Sequence, residues 1–319
     1  MMAAMPDLRR ATETVVRRCL AVKAGEEVLV VADAGTHAIG EALRDEAASV
    51  GADAVLAVMD AREDDGNEPP GPVAGALQGC DVYIAPTSRS LSHTTARKRA
   101  TDAGARGATM PGVTEEMLAR VMAIDFDLMA ARSRAVAKLL DEGEVALVTC
   151  PLGSDLTMDL GGRSGIADDG DLTARAAFGN LPCGEGFIAP AGGEGRIVAS
   201  TLGPLGIGDE PSKLTVADGR LADVEGGLGP EWIKLLDKHG ESGRNLAELG
   251  VGTNDKARLT GLVLEDEKIL GTIHVAFGAS AGIGGTVSVP IHLDVVVTDA
   301  SLEIDGRQVL DRGRFVLEL

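Results

Sequence analysis

The sequence predicts an α/β protein in two parts, an N-terminal α/β domain on a parallel sheet and a β-rich C-terminal domain. Three observations carry this. Short apolar runs of the buried-strand kind alternate with helical stretches through the first part of the chain, the pattern of βαβ units. Near Glu142-Gly143 the character changes, and strand-like, glycine-rich segments dominate from there on. The 319 residues suit about two domains, enough to bury a sizeable core.

Taken in order, Leu8, Thr12, Val15 and Val16 recur at helical spacing and predict an opening amphipathic helix. The first segment lacks the continuous apolar run and cleavage pattern of a secretory signal. Residues 27–32 read as a buried strand closed by Asp33-Ala34-Gly35. Ile39, Leu43 and Ala47 mark a helix over 39–50, ended by Gly51. Strands follow at 54–59 and 81–85, with a breaker-rich surface loop at 64–72 between them. A helix is expected over 114–141, striped by Met117, Val121, Ile124 and Leu128. A boundary near 141 then gives domains of 1–141 and 142–319. In the second, strands are expected at 145–149, 197–200, 213–217, 261–264, 272–277 and 287–297, with a helix at 231–239. No repeat or low-complexity tract is detectable.

Composition excludes several functions. A formal net charge of −19 repels phosphate backbones, so nucleic acid is not an expected partner. No segment approaches the roughly 18 consecutive apolar residues of a membrane span. One tryptophan, one tyrosine and five phenylalanines leave few stacking platforms. Cys19, Cys80, Cys150 and Cys183 lie far apart, with no C-x-x-C pair or disulfide framework, which suits a reducing cytoplasm. The loop Asp33-Ala34-Gly35-Thr36-His37 lacks the glycines that wrap a phosphate.

Chemistry concentrates in the second domain. Of five histidines, two fall in strand patterns. In Ile291-His292-Leu293-Asp294, residues two apart share a face, so His292 and Asp294 project together, about 6–7 Å apart along the backbone. In Ile273-His274-Val275-Ala276-Phe277 the apolar residues take one face and His274 the other, beside the small Thr272 and Ala276. Strand histidines bonded to carboxylates would explain both, as would a metal site. Glu185, in a Pro/Gly-framed turn, and Glu248, within an apolar run, are acids in apolar company and need cationic partners. Arg163, Arg244, Arg258 or metals could supply them. Two divalent ions on Glu185, Glu248, Asp294 and two neutral imidazoles, with a bridging hydroxide, would be charge-balanced. Five N/O donors without thiolate suit zinc, cobalt or manganese alike. Glu265-Asp266-Glu267 reads most simply as a solvated turn, with Glu267 the candidate general base.

These segments resemble the thermophilic-type metallo-aminopeptidases, the aminopeptidase T and S group. The resemblance rests on Asn180-Leu181-Pro182-Cys183-Gly184-Glu185, Ala247-Glu248-Leu249-Gly250-Val251-Gly252-Thr253-Asn254, Gly271-Thr272-Ile273-His274-Val275-Ala276-Phe277-Gly278 and Ile291-His292-Leu293-Asp294. Further segments in the N-terminal part include Leu91-Ser92-His93-Thr94. It implies an N-terminal α/β domain, a β-rich C-terminal metal-binding catalytic domain and a homodimer. It places metal ligands at Glu185, Glu248, His274, His292 and Asp294, for two divalent ions. The implied enzyme is a metallo-aminopeptidase, a hydrolase that removes the N-terminal residue of short peptides. The family tyrosine that follows the His274 position is missing here, where Gly278-Ala279-Ser280 stands. The chain is also shorter than typical members around these segments.

Two alternatives keep the fold. Related dihydroxypyridine ring-cleaving dioxygenases use one Fe(II) held by two histidines and a carboxylate. In them the first glutamate is lost and the second replaced by histidine, so Glu185 and Glu248 point toward the hydrolase. The other alternative is a metal-binding relative without turnover.

Overall fold

The computed structural model describes residues 5–319 and divides the chain into two compact units. One runs to Ile124 and takes in Gly170–Cys183; the other comprises Asp125–Asp169 and Gly184–Leu319. The expected division at 141 lies inside the helix Phe126–Glu142, which belongs to the second unit. Its buried face, including Met129, Ser133 and Val136, packs on the strands Glu185–Ile188 and Ile166–Asp168 of the same unit.

The first unit is the expected parallel sheet. Its strand order is Asp53–Met59, Glu27–Asp33, Val82–Ala85, Arg106–Thr109 and Phe178–Asn180, each pair parallel. Glu27–Asp33 lies inside the sheet and is buried from Val28 onward, which is why it reads as a continuous apolar run. The helix His37–Ser49 buries Ile39, Leu43 and Ala47, the three residues of its predicted stripe. Met5–Glu13 is helical and passes into a π-turn over Thr14–Cys19; residues 1–4 of the expected opening helix lie outside the described residues. The single helix expected over 114–141 is two, Glu115–Val121 and Phe126–Glu142. Asp125 separates them because its carboxylate caps the second by accepting from Leu128 N at 3.1 Å.

The second unit is β-rich, as expected. Among the described residues its sheet has 13 strands, and the strand pairings in it are antiparallel. Five neighbours matter most: Ile166–Asp168, Glu185–Ile188, Leu246–Gly252, Ile273–Gly278 and His292–Val297, in that spatial order. One face supplies Ile188, Leu249, Val251, Ile273, Val275, Phe277, Val295 and Val297 to the main hydrophobic core. The helix Gly229–Asp237 sets Trp232 edge-on to Phe277, ring centroids 5.8 Å apart, and its indole N–H donates to Gly203 O at 2.6 Å. Two strand expectations fail locally. Residues 261–264 do not extend but turn into the short helix Val263–Asp266, because Asp266 accepts from Thr260 N and Gly261 N and closes the loop on itself. The last strand pairs only from His292, not from 287.

Candidate metal centre

The opposite face of those strands gathers the acids and imidazoles. Register brings them together: Gly250 faces His274, Glu248 faces Ala276, Ala276 faces Asp294, and Gly252 faces Glu185. Period-two alternation then points Glu185, Glu248, His274 and Asp294 to one side while their sequence neighbours fill the core. Glycine at 250 is a steric requirement, because a Cβ there would overlap the His274 imidazole.

The structure brings all five expected ligands together. His274 Nε2 lies 3.1 Å from Glu185 Oε2 and 3.3 Å from Glu248 Oε1. The other oxygen of Glu248 is 3.1 Å from His292 Nε2, which is 3.7 Å from Asp294 Oδ1. Glu248 therefore spans the two imidazoles. Glu185, Glu248 and His274 offer ligand atoms within 4.8 Å of one another, as do Glu267, His274 and Asp294. Of the arginines considered as alternative partners, Arg163 donates to Gly284 O and Arg244 pairs with Asp237.

Lys268 and Asp168 were not legible as site residues, and the acids before Lys268 read as a turn. Glu265, Asp266 and Glu267 form no solvated turn, for all three are buried. Glu265 accepts from Arg258 N at 2.7 Å, and Glu267 lies 2.8 Å from the ammonium of Lys268. Lys268, 1% exposed, also reaches Glu185 Oε1 at 2.5 Å and Asp168 Oδ2 at 3.5 Å. Asp168 is paired directly across from Glu185 on the edge strand. A signal existed: the run Glu265-Asp266-Glu267-Lys268 is flanked by Leu262-Val263-Leu264 and Ile269-Leu270, apolar company for a surface turn. Asp168-Asp169-Gly170 carried none, reading as an ordinary polar turn.

Electrostatics show what the cluster lacks. Burial opposes charge on both imidazoles, yet Glu185 and Glu248 hold His274, and Asp294 and Glu248 hold His292, well above the ordinary histidine value. Burial also opposes the Glu248 charge, but the two imidazoles hold it far below the usual carboxylate range. Glu267 is pushed up to about 8 by burial, with Glu185 and Asp294 adding to the effect against the pull of Lys268. Asp168 is pushed up to about 7, again first by burial. Five carboxylates thus share one ammonium and two rings, and burial leaves Glu267 and Asp168 easier to protonate than an ordinary carboxyl.

A divalent cation fits this arrangement. His292 Nδ1 lies 2.8 Å from the Ala279 carbonyl, which can only accept, so Nδ1 carries the proton. The carboxylates favour a second proton on Nε2, which points at their oxygens, and a cation could stand in that proton's place. A backbone carbonyl holding the far nitrogen is the usual support of a metal-bound histidine. His274 Nδ1 and Glu185 Oε2 are buried without a hydrogen-bond partner, although Glu185 Oε2 is near His274 Nε2.

Comparison with known proteins identifies the family. The sequence model of NicX, 2,5-dihydroxypyridine 5,6-dioxygenase, matches residues 7–317. The chain belongs to this family. Among solved structures, 2,5-dihydroxypyridine dioxygenase from Pseudomonas putida KT2440 superposes with a TM-score of 0.80 at 19% identity, covering 98% of this chain and 97% of that one. Wild-type AmpT from Thermus thermophilus superposes with a TM-score of 0.73 at 21% identity, covering 99% and 100%. At these identities both show the fold alone, which is shared with the aminopeptidase group. A search of curated proteins finds no match.

Membership in the NicX family corrects the expected function. The chain is not placed among metallo-aminopeptidases, and the hydrolase and protease assignments fall with that reading. The cause is physical: carboxylates and imidazoles on one strand face can hold a cation, but they do not specify the bond that a cation would help to break. Glu185 and Glu248 were weighed as marks of a hydrolase, but Glu185 gives one oxygen to Lys268. Among the described residues no helix is long and apolar enough to cross a membrane.

Proposed function

We propose that this protein is a metal-dependent ring-cleaving dioxygenase acting on a small hydroxylated heteroaromatic ring of the dihydroxypyridine type. The observation that carries the reading is the family match over residues 7–317, on a chain whose two imidazoles are both within 3.3 Å of Glu248. Two histidines and a carboxylate are the donor set of non-haem iron oxygenases. His274, His292 and Glu248 would hold the iron, with Asp294 beside His292. Iron(II) in such a set supplies the redox capacity to activate O2.

The chain's own residues do the rest. Ala279 accepts from His292 Nδ1, so Nε2 is the nitrogen turned to the acids and the one that would face the iron. Gly250 leaves room for the His274 ring. Glu267, pushed up to about 8, can accept or return a proton at a carboxyl oxygen near neutral pH, the role in which a hydroxylated ring would use it. Trp232 and Phe277 are committed to the core, so polar groups rather than stacking would hold the substrate. The proposal includes a reducing cytoplasm, in keeping with four free thiols, of which Cys80 is pushed up to about 11 by burial.

The test is O2 uptake by protein reconstituted anaerobically with Fe(II), supplied with 2,5-dihydroxypyridine and related dihydroxylated rings. Uptake matched to loss of the ring absorbance is expected, and should vanish in His292→Ala. No uptake with any such ring, on protein shown to hold iron, would overturn the reading.

A further inference from the structure

His292 opens the strand His292–Val297, where it pairs with Gly278 of the neighbouring strand. Its side chain is 16% exposed, the most open of the five expected ligands, so its ring needs a support that the sheet face does not give. Ala279 gives it from two sides. Its N–H donates to Ile291 O at 2.8 Å, and its carbonyl accepts from His292 Nδ1 at 2.8 Å. Ala279 also begins a loop over 279–291 that carries glycine at 282, 284 and 285. That loop closes at Ser280. Ser280 N and Ala281 N both donate to Val287 O at 2.9 Å, and Val287 N donates back to Ser280 Oγ at 3.2 Å. Ser280 O accepts from Ile283 N at 3.0 Å and from Gly285 N at 2.9 Å. The Ser280 side chain is buried, whereas residues 281–290 are exposed or half-buried. Gly285 lies against it so closely that a Cβ there would stand 2.3 Å from Ser280 Oγ.

We propose that Ser280 is a positioning residue for the metal centre: it cinches the 280–287 loop so that the Ala279 carbonyl holds the His292 ring with Nε2 turned to the acids. The inference rests on the metal-binding part of the reading above and deepens it by naming what organises the open side of the site. Glycines leave a chain free to take many backbone shapes, so this loop depends on its closing bonds for a single one. A carbonyl one residue from that closure turns with it. The hydroxyl matters because it accepts the Val287 N–H, and an alanine in its place leaves that donor without its partner. Ser280 acts through Ala279 and His292, as an outer partner that orients a ligating histidine, and is not itself a donor to the ion.

The experiment uses the full-length protein with two readouts. Zn(II) affinity is measured by competition with a chromophoric chelator. The Nδ1–H resonance of His292 is followed by NMR in metal-free protein labelled with 15N-histidine, assigned by its loss in His292→Ala. Wild type is expected to show that proton protected from exchange. Ser280→Ala and Gly285→Ala are expected to lose it to exchange and to weaken Zn(II) binding about 10-fold or more, with folding intact by circular dichroism. Thr286→Ala, exposed on the same loop, is expected to change neither. An unchanged resonance and unchanged affinity in folded Ser280→Ala would overturn the inference, and so would equal losses in Thr286→Ala. Should Ser280→Ala fail to fold, Gly285→Ala decides, since it keeps every hydrogen-bonding group and displaces only the hydroxyl. Neither readout involves O2 or a ring substrate, so failure of the oxygenase reading would leave the inference standing, and the reverse holds too. No Zn(II) binding by wild type would remove the metal centre itself, and this inference with it.

Discussion

Gly250 and His274 face each other across two strands, and the ring occupies the space a Cβ at 250 would take. Gly250→Ala should therefore turn the imidazole away from Glu248 and weaken metal binding on the order of 10–100-fold, the usual penalty for disturbing a ligand's support. Overpacking should add about 1–3 kcal/mol of destabilisation to the metal-free protein. Metal titration and urea midpoints check both, and unchanged affinity would remove His274 from the ligand set. Glu248→Gln keeps the shape but loses the charge spanning the two rings, and should lower metal affinity without disturbing the fold. At this scale, strand-face alternation made His274, His292 and Asp294 legible, since period two is visible in a single sequence. Glu185 and Glu248 stood out as acids in apolar company. Lys268 and Asp168 did not, because the segment from Asn254 to Lys268 folds back over the sheet through side-chain-to-backbone bonds that leave no periodic trace. The reaction was least legible, because the same donors serve hydrolases and oxygenases.

The helix Gly229–Asp237 contributes the only tryptophan, whose N–H donates to Gly203 O within the core. Trp232→Phe leaves that carbonyl without its donor and should cost about 1–3 kcal/mol. Circular dichroism during urea unfolding measures it, and an unchanged midpoint would mean that Gly203 finds another partner. Elements with a full stripe were readable to within a residue or two, as with His37–Ser49. Those decided by a local cap were not. Asp125 breaks what reads as one long helix, and Asp266 converts an apolar run that reads as a strand into a helical turn. In both, a short acid competes for backbone N–H groups, and that competition outweighs the apolar pattern.

Across the whole molecule, the two units should answer to different conditions. In the first, Arg106 donates to both oxygens of Glu26 at 2.9 and 2.7 Å and to the carbonyls of Leu20 and Ala21. Burial pushes Glu26 up, but Arg106 and the Lys23 N–H outweigh it and hold the carboxyl below its ordinary value of 4.5. A depressed folded-state value gives stability that is present above 4.5 and lost as pH falls through the folded value. Glu26→Gln should remove this acid sensitivity and cost about 1–3 kcal/mol at neutral pH, seen as a urea midpoint that no longer falls on acidification. The second unit should instead answer to metal. Ion at a hundredfold excess over its Kd should raise stability by about 2.7 kcal/mol, reported by Trp232 fluorescence. The fold was legible at this scale from the change of pattern near Glu142, whereas the return of Phe178–Asn180 to the parallel sheet was not, being a three-residue strand set in glycine and polar sequence. The central claim is that this site joins O2 to a ring, and labelled oxygen tests it most directly. Iron-loaded protein should turn over a dihydroxypyridine under isotopically labelled O2 to one ring-opened product that carries both labelled atoms. Product whose new oxygen comes only from water would contradict the account.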